Sequence, residues 1–305
     1  MMSFVRRSPV LVWSPHYHLP FGGNHVFPVE KYQLLHEALV EEGLLGRFDV
    51  VPPVPLTRGQ LMTVHTERYI DELLACVPTP RTMRAEVPLT SEVVSAELLA
   101  SGGTLVACRA ALETGAAVNL GGGFHHAFPD HGEGFCYVND MAVAVRTLKA
   151  EGLVKRVLIV DLDLHQGNGT AFAFRDDPDV FTFSMHQESL YPPKQRSDLD
   201  VGLDNGTGDR AYLRLLGRSL RPLLVRQKPD LVLYQAGADP YRDDLLGSLL
   251  LTKRGLEARD RMVIRLCRSR RVPVAVVLGG GYAADVRDTV AIHLATCRAV
   301  AERRR

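Results

Sequence analysis

With 305 residues, 36 Lys plus Arg against 35 Asp plus Glu and a formal net charge of +1, the chain carries no global field that would recruit nucleic acid or a membrane surface. Nearly half of it is hydrophobic (46%), enough for a sizeable core, and no linker, repeat or low-complexity segment divides it, so one domain over residues 1–305 is expected. Cys76, Cys108, Cys136, Cys267 and Cys297 are odd in number and lack CxxC spacing, which argues against a disulfide scaffold and for a reducing compartment.

Arg6 and Arg7 precede the apolar stretch Pro9 to Trp13, which is too short for a signal-peptide core, and no later run has the length of a membrane span. A soluble cytoplasmic protein is the expectation. Val10 to Trp13 read as a first strand. The loop from Pro15 to Pro28 holds His16, His18 and His25, whose irregular spacing fits surface or hydrogen-bonding roles better than a ligand set. Lys31 to Leu45 carry a helical apolar stripe that stops near Gly43 or Gly46. Gln60 to Val77 form a second, in which His65 reads as a capping or packing residue. Pro78 to Pro88 is a loop, and Ser91 to Thr114 return to helix, ended by Gly115, with Gly102-Gly103 marking a close contact or a break.

Ala116 to Leu120 form a short strand that runs into Gly121-Gly122-Gly123-Phe124-His125-His126. An isolated pair of histidines means little; this one gains weight by following a strand. Gly132 to Asp140, GEGFCYVND, make a further loop before the helix Met141 to Glu151. Then comes Val157 to Thr170, VLIVDLDLHQGNGT, where a run of branched apolar residues ends in a polar loop, as a buried parallel strand does. In an extended chain Asp161, Asp163 and His165 share one face and Leu162 and Leu164 the other. Val180 to Met185 are strand, Tyr191 to Arg210 a polar loop and Tyr212 to Arg226 an amphipathic helix. Leu231 to Tyr234 form a buried strand ending in Gln235-Ala236-Gly237-Ala238-Asp239-Pro240. Leu256 to Arg270 are helix, Val274 to Leu278 a strand that ends in Gly279-Gly280-Gly281-Tyr282, and Arg287 to Glu302 a last helix. The basic runs Arg268 to Arg271 and Arg303 to Arg305 read as solvated helix ends. Alternating strands and helices predict an α/β domain with a mostly parallel central sheet and helices on both faces. The glycine runs lack GxGxxG spacing and no P-loop is present, which argues against a dinucleotide or NTP site.

Open α/β sheets place ligands at the C-terminal ends of their strands. Asp163, His165 and Asp239 would meet there as one nitrogen and two oxygen donors, and packing them together without a cation would be costly. Room for water makes this an open, catalytic type of metal site. Zn²⁺ suits it, and Fe²⁺, Co²⁺ or Mn²⁺ could also occupy it. His125 and His126 could then manage protons and Tyr282 could donate to an oxyanion, which together are what amide hydrolysis needs.

HHAFPDHGEGFCYVND, VDLDLHQGNGT, QAGAD and LGGGY, in that order, resemble the zinc-dependent histone deacetylase family of the arginase/deacetylase fold. GGGFHH, DLDLHQGNG, HTERYI and DDLLGSLLLT are most similar to its class IV branch. The resemblance runs from about Trp13 to the last helix. It implies metal ligands Asp163, His165 and Asp239, a His125/His126 proton-transfer pair, Asp161 orienting His125, and Tyr282 as oxyanion donor. It also implies an acyl-lysine tunnel lined by Gly134, Phe135, Tyr191 and Leu246, with Gly280 at the substrate. A structural K⁺ would be held by backbone near Asp161, Asp163 and His165, with Ser184 and Met185.

Many relatives carry Asp where this chain has Asn168. A neutral amide can hold the second histidine without raising its pKa as a carboxylate does. His126 is therefore expected to be the neutral base and His125, paired with Asp161, the more readily protonated partner. Asn168→Asp should raise the acidic-limb pKa of kcat/KM, and an unchanged limb would rule the assignment out. An arginase-like two-manganese site is disfavoured because Gln166-Gly167-Asn168, not carboxylates, follow His165. The expected activity is removal of acyl groups, acetyl or longer, from lysine in proteins. The rivals are hydrolysis of acetylpolyamines or another small amide, whose enzymes usually carry a long dimerising insertion not seen here, and a silent acyl-lysine binder.

Overall fold

Short apolar runs hidden on both faces make the central strands, and helices cover them. The computed structural model describes residues 8–18 and 25–302, so Arg6, Arg7, part of the Pro15–Pro28 loop and Arg303 to Arg305 lie outside the described residues. Eight strands are present among them: β1 (Val10–Val12), β2 (Asp49–Val51), β3 (Ala116–Asn119), β4 (Val157–Asp161), β5 (Val180–Gln187), β6 (Leu199–Leu203), β7 (Leu231–Gln235) and β8 (Val274–Val277). They form one sheet in the order β2-β1-β3-β8-β7-β4-β5-β6, and every pairing is parallel. The helices are α1 (Lys31–Glu41), α2 (Arg58–Leu61), α3 (Glu67–Leu74), α4 (Ser91–Thr114), α5 (Asp140–Ala150), α6 (Asn168–Phe174), α7 (Asp209–Gln227), α8 (Lys253–Ser269) and α9 (Val286–Ala301). One layer packs α1 on α9, α9 on α8 and α8 on α7; the other packs α4 on α5 and α5 on α6.

The buried strands β3, β4, β7 and β8 sit where the apolar runs put them, within a residue at either end. Two edge strands escape the apolar pattern. β6 lies inside the stretch expected to be a polar loop, and β2 follows α1 unannounced, because DVV and LDVGL leave side chains exposed at the sheet's edges. The single helix expected over Gln60 to Val77 is two, α2 and α3, separated by a turn in which His65 goes inward: its Nδ1 lies 3.0 Å from the Phe128 carbonyl and its Nε2 accepts from the Asn139 amide at 3.1 Å. Gly102 marks a close contact, since a Cβ there would fall 1.7 Å from the Val54 carbonyl oxygen. α4 is the one described helix long and apolar enough to cross a membrane, and 67% of that stretch is buried in the protein. All five cysteines are free thiols.

Candidate active site

Four neighbouring strands, β3, β8, β7 and β4, end on one side of the sheet, and the loops after them carry the chemistry-bearing residues. β4 stops at Asp161, so the expected extended run to His165 is corrected: the chain bends over Asp163 to His165, with the Asp163 amide donating to Asp161 Oδ1 at 3.2 Å. Asp163 and His165 instead join Asp239, which comes from the loop after β7. One ligand atom from each lies within 4.8 Å of the others, and all three are buried. His165 Nδ1 is 3.3 Å from Asp163 Oδ1 and 3.2 Å from Asp239 Oδ2. Backbone amides aim the carboxylates: Leu164 donates to Asp239 Oδ1 at 2.9 Å, and Gly280 to Asp163 Oδ2 at 3.1 Å.

Whether this cluster suits a cation can be judged from its own charges. Burial pushes the Asp239 carboxyl up, and the Asp163 charge beside it adds to the effect. Burial works against ionising Asp163 too, but the His125 and His165 rings outweigh it and hold that carboxyl well below the usual range. Burial alone would keep the His165 ring neutral, yet its hydrogen bonds and charges from Asp163 and Asp239 pull it up to about 10. Such a cluster gathers positive charge, and a divalent ion supplies it more compactly than protons. The walls fit as well: a Cβ on Gly237 would lie 2.3 Å from Asp163 Oδ2, and one on Gly280 would lie 2.4 Å from Asp239 Oδ2. Only glycine leaves the donors room.

His125 and His126 stand beside the cluster with their Nε2 atoms 3.1 Å apart. Asp161 Oδ2 sits 2.7 Å from His125 Nδ1, and Asn168 Oδ1 sits 2.8 Å from His126 Nδ1. Their surroundings separate them electrostatically. Burial opposes charge on His125, but Asp161 and Asp163 overcome it and raise the ring to about 9. Burial and the neighbouring His125 and His165 push His126 well below its ordinary value. Asn168 opens α6, so the polar loop expected to run to Thr170 gives way to helix there.

Tyr282 follows β8 and lines one cavity with His125, His126, Gly134, Phe135, Asp163, His165 and Gly280. The cavity holds about 20 Å³, room for roughly one water-sized group. Tyr191 stands at the mouth, 42% exposed, with its ring 5.4 Å from that of His126 and 6.2 Å from that of His165. Gly134 is squeezed between His126 and the Tyr191 hydroxyl. Leu246 is half-buried and packs on the core, its amide on Asp244 Oδ1, and does not line the inner cavity; its neighbour Leu245 is exposed. Ser184 is paired with Asp161 across β4 and β5, its hydroxyl 2.8 Å from His186 Nδ1, and Met185 is buried next to it. His25, not enlisted from sequence, lies edge-on to Phe135 at 5.1 Å.

Several supporting residues gave no sequence signal. Lys31 begins α1 like any surface lysine, but its Nζ is buried against the Gly279 carbonyl at 2.7 Å. Asp140 caps the glycine loop, accepting from Gly123 at 2.8 Å and Phe124 at 2.7 Å. Glu133 accepts from Asn168 Nδ2 at 2.8 Å and from Arg84 Nη2 at 2.6 Å. Arg259, on α8, is wholly buried; it pairs with Asp260 at 2.7 Å and donates to the carbonyls of Leu162, Ala236 and Gly237. It thus ties together the two loops that carry Asp163 and Asp239.

An all-parallel sheet of eight strands with a buried Asp/His/Asp cluster at its C-terminal edge is the arrangement of the arginase/deacetylase fold. The family model for the histone deacetylase domain matches residues 25–297, and the chain belongs to the histone deacetylase family, hydrolases that act on amide bonds. It is similar to an uncharacterized protein of Picosynechococcus sp., 47% identical over 285 residues that cover 93% of this chain and 95% of that one. Histone deacetylase 2 of Arabidopsis thaliana is 32% identical over 89% of this chain and 74% of its own length. A probable deacetylase of Archaeoglobus fulgidus is 31% identical over 84% and 76%. Among solved structures, the HDA15 HD domain superposes with a TM-score of 0.81 over 95% of this chain and 90% of that chain, at 24% identity, a likeness of fold.

Proposed function

We propose that this protein is a metal-dependent lysine deacylase that removes acyl groups, acetyl or longer, from the ε-amine of protein lysines. The observation that carries the reading is the meeting of the Asp163/His165/Asp239 cluster, the His125–His126 pair and the Tyr282 ring around one small cavity. Zn²⁺ suits the donor set, with Fe²⁺ or Co²⁺ as substitutes, and when bound it would supply Lewis acidity toward the amide carbonyl and an attacking water. His126, with a bare Nε2, takes the proton of that water. His125, cationic against Asp161, delivers a proton to the departing amine. Tyr282 donates its hydroxyl hydrogen to the oxygen that gains charge, and Gly134, Phe135 and Tyr191 hold the lysine stem. Positioned proton transfer of this kind contributes ~10²–10⁴-fold to rate.

K⁺ belongs to the same reading, held near Asp161, Asp163 and His165 with Ser184 and Met185 and supported by the β4–β5 register. So do a single domain over residues 1–305, a class IV-like place within the family, a cytoplasmic location and an acylated protein as partner, with the near-zero net charge speaking against nucleic acid.

The cavity that Gly134, Phe135 and Tyr282 line must also take the lysine stem and the amide, so the acyl length is read from turnover of a substrate series. Zn²⁺-loaded protein is expected to hydrolyse acyl-lysine peptides with kcat/KM ~10-fold or more above that for acetylpolyamines. Preference for acetylpolyamines would favour the small-amide rival. Tight binding with no turnover of any acyl-lysine would leave a binder and reject the proposal.

A further inference from the structure

The Asn168 amide has one end that accepts and one that donates, and half a rotation exchanges them. Which end faces His126 decides where that ring carries its proton. With Oδ1 toward Nδ1, at 2.8 Å, the proton sits on Nδ1 and Nε2 is bare. With the amide nitrogen there instead, the proton moves to Nε2. The atom that looks toward His125 at 3.1 Å could then no longer accept.

The far end of the amide makes the choice. Asn168 Nδ2 donates to Glu133 Oε1 at 2.8 Å, and an ionised carboxylate only accepts. Rotating the amide would set Oδ1 against that carboxylate, acceptor against acceptor. Glu133 itself is buried and well held. Its other oxygen takes Arg84 Nη2 at 2.6 Å and lies 3.5 Å from His131 Nε2. Its backbone exchanges hydrogen bonds with Cys136 at 2.9 and 3.0 Å, closing a tight turn. Burial favours the neutral acid, but the nearby His131 ring, the Asn168 hydrogen bond and the Arg84 charge outweigh it, so the carboxyl is held below its ordinary value.

We propose that Glu133 is a positioning residue that locks the Asn168 amide, and through it the His126 ring, in the tautomer whose Nε2 is the proton acceptor. The inference rests on the reading of His126 as the base. An amide backed by a carboxylate orients the ring as firmly as a direct carboxylate would, without placing a second negative charge against it.

The experiment compares the Zn²⁺-loaded parent with E133A, E133Q and E133A/N168D. It measures kcat and KM on an acetyl-lysine peptide and the ring ¹⁵N shifts of His126, the latter also on metal-stripped protein. E133A is expected to lose ~10–100-fold in kcat with KM within about two-fold, and its ¹⁵N shifts should report mixed tautomers. E133Q, whose amide oxygen can still accept from Asn168, should keep most of the rate. Adding N168D to E133A should restore kcat, because a carboxylate accepts from Nδ1 in either rotation. A kcat for E133A within about two-fold of the parent, an unchanged tautomer, or a loss that N168D leaves in place would each overturn the proposal. If E133A does not fold, Arg84→Gln loosens the same carboxylate from the surface. It is expected to cost ~2–5-fold in kcat at constant KM, and no change in either readout overturns the lock. Failure of the deacylase reading looks different: the parent turns over nothing, while the ¹⁵N shifts still report on Glu133.

Discussion

Tyr282→Phe is expected to lower kcat by ~10²–10³-fold while KM stays within about two-fold, the signature of a donor that acts in the transition state and not in substrate binding. Burial pushes the phenol well above its ordinary value, and the Asp163 and Asp239 carboxylates add to the effect, so the hydroxyl is a neutral donor at any physiological pH. Its aim is set by the backbone: the Tyr282 amide donates to Asp244 Oδ2 at 2.7 Å, and its carbonyl accepts from Leu245 at 3.1 Å. Phe27 and Phe135 flank the ring, with centroids 6.1 and 5.9 Å away. Phenylalanine keeps all of this, so the loss should be read in turnover with the thermal midpoint unchanged. Steady-state kinetics that put kcat within about three-fold of the parent would remove Tyr282 from the reaction.

Asp239→Asn should weaken metal binding by ~100-fold or more and take turnover with it, because one of three donors loses its charge. The amide preserves volume, and its oxygen can still accept from the Leu164 amide that now holds Asp239 Oδ1. The effect should therefore appear in metal content after desalting, measured by mass spectrometry, ahead of any change in fold. The parent carries a pH dependence of known sign. Ligands bind metal in their deprotonated forms, and both His165 and Asp239 hold protons more tightly than usual. Metal affinity should thus be full above the range where they deprotonate and fall as pH drops through it. A variant that keeps one tightly bound ion per chain and full turnover would place the metal elsewhere.

Local pattern made part of this legible and hid the rest. VLIVD and LVLYQ read as buried strands because each is apolar on both faces, and Asp163, His165 and Asp239 stand out because each lies just past such a run. Edge strands have no such run, which is why Leu199–Leu203 falls within the expected polar loop and Asp49–Val51 carries no strand signal. An inequality of the histidines followed from Asp161 and Asn168; on His125 the charges of Asp161 and Asp163 overcome burial, while His126 is lowered by its burial and by His125 and His165 and not by Asn168. What gives Asn168 its direction did not follow. Glu133, between two glycines in GEGFC, looks like a solvated loop carboxylate, and its partner is 35 residues away. Lys31 and Arg259 are long cations on amphipathic helices, a pattern that ordinarily faces water; only the tertiary fold turns their heads inward.

Arg259 has one more implication. A guanidinium keeps its charge at any pH a cell meets, so the carbonyls of Leu162, Ala236 and Gly237 are fastened by a clasp that acid does not open. Acidification should then silence the proposed metal centre by protonating Asp163, His165 and Asp239 while leaving the scaffold behind them in shape, and returning to neutral pH with fresh metal should bring activity back without refolding.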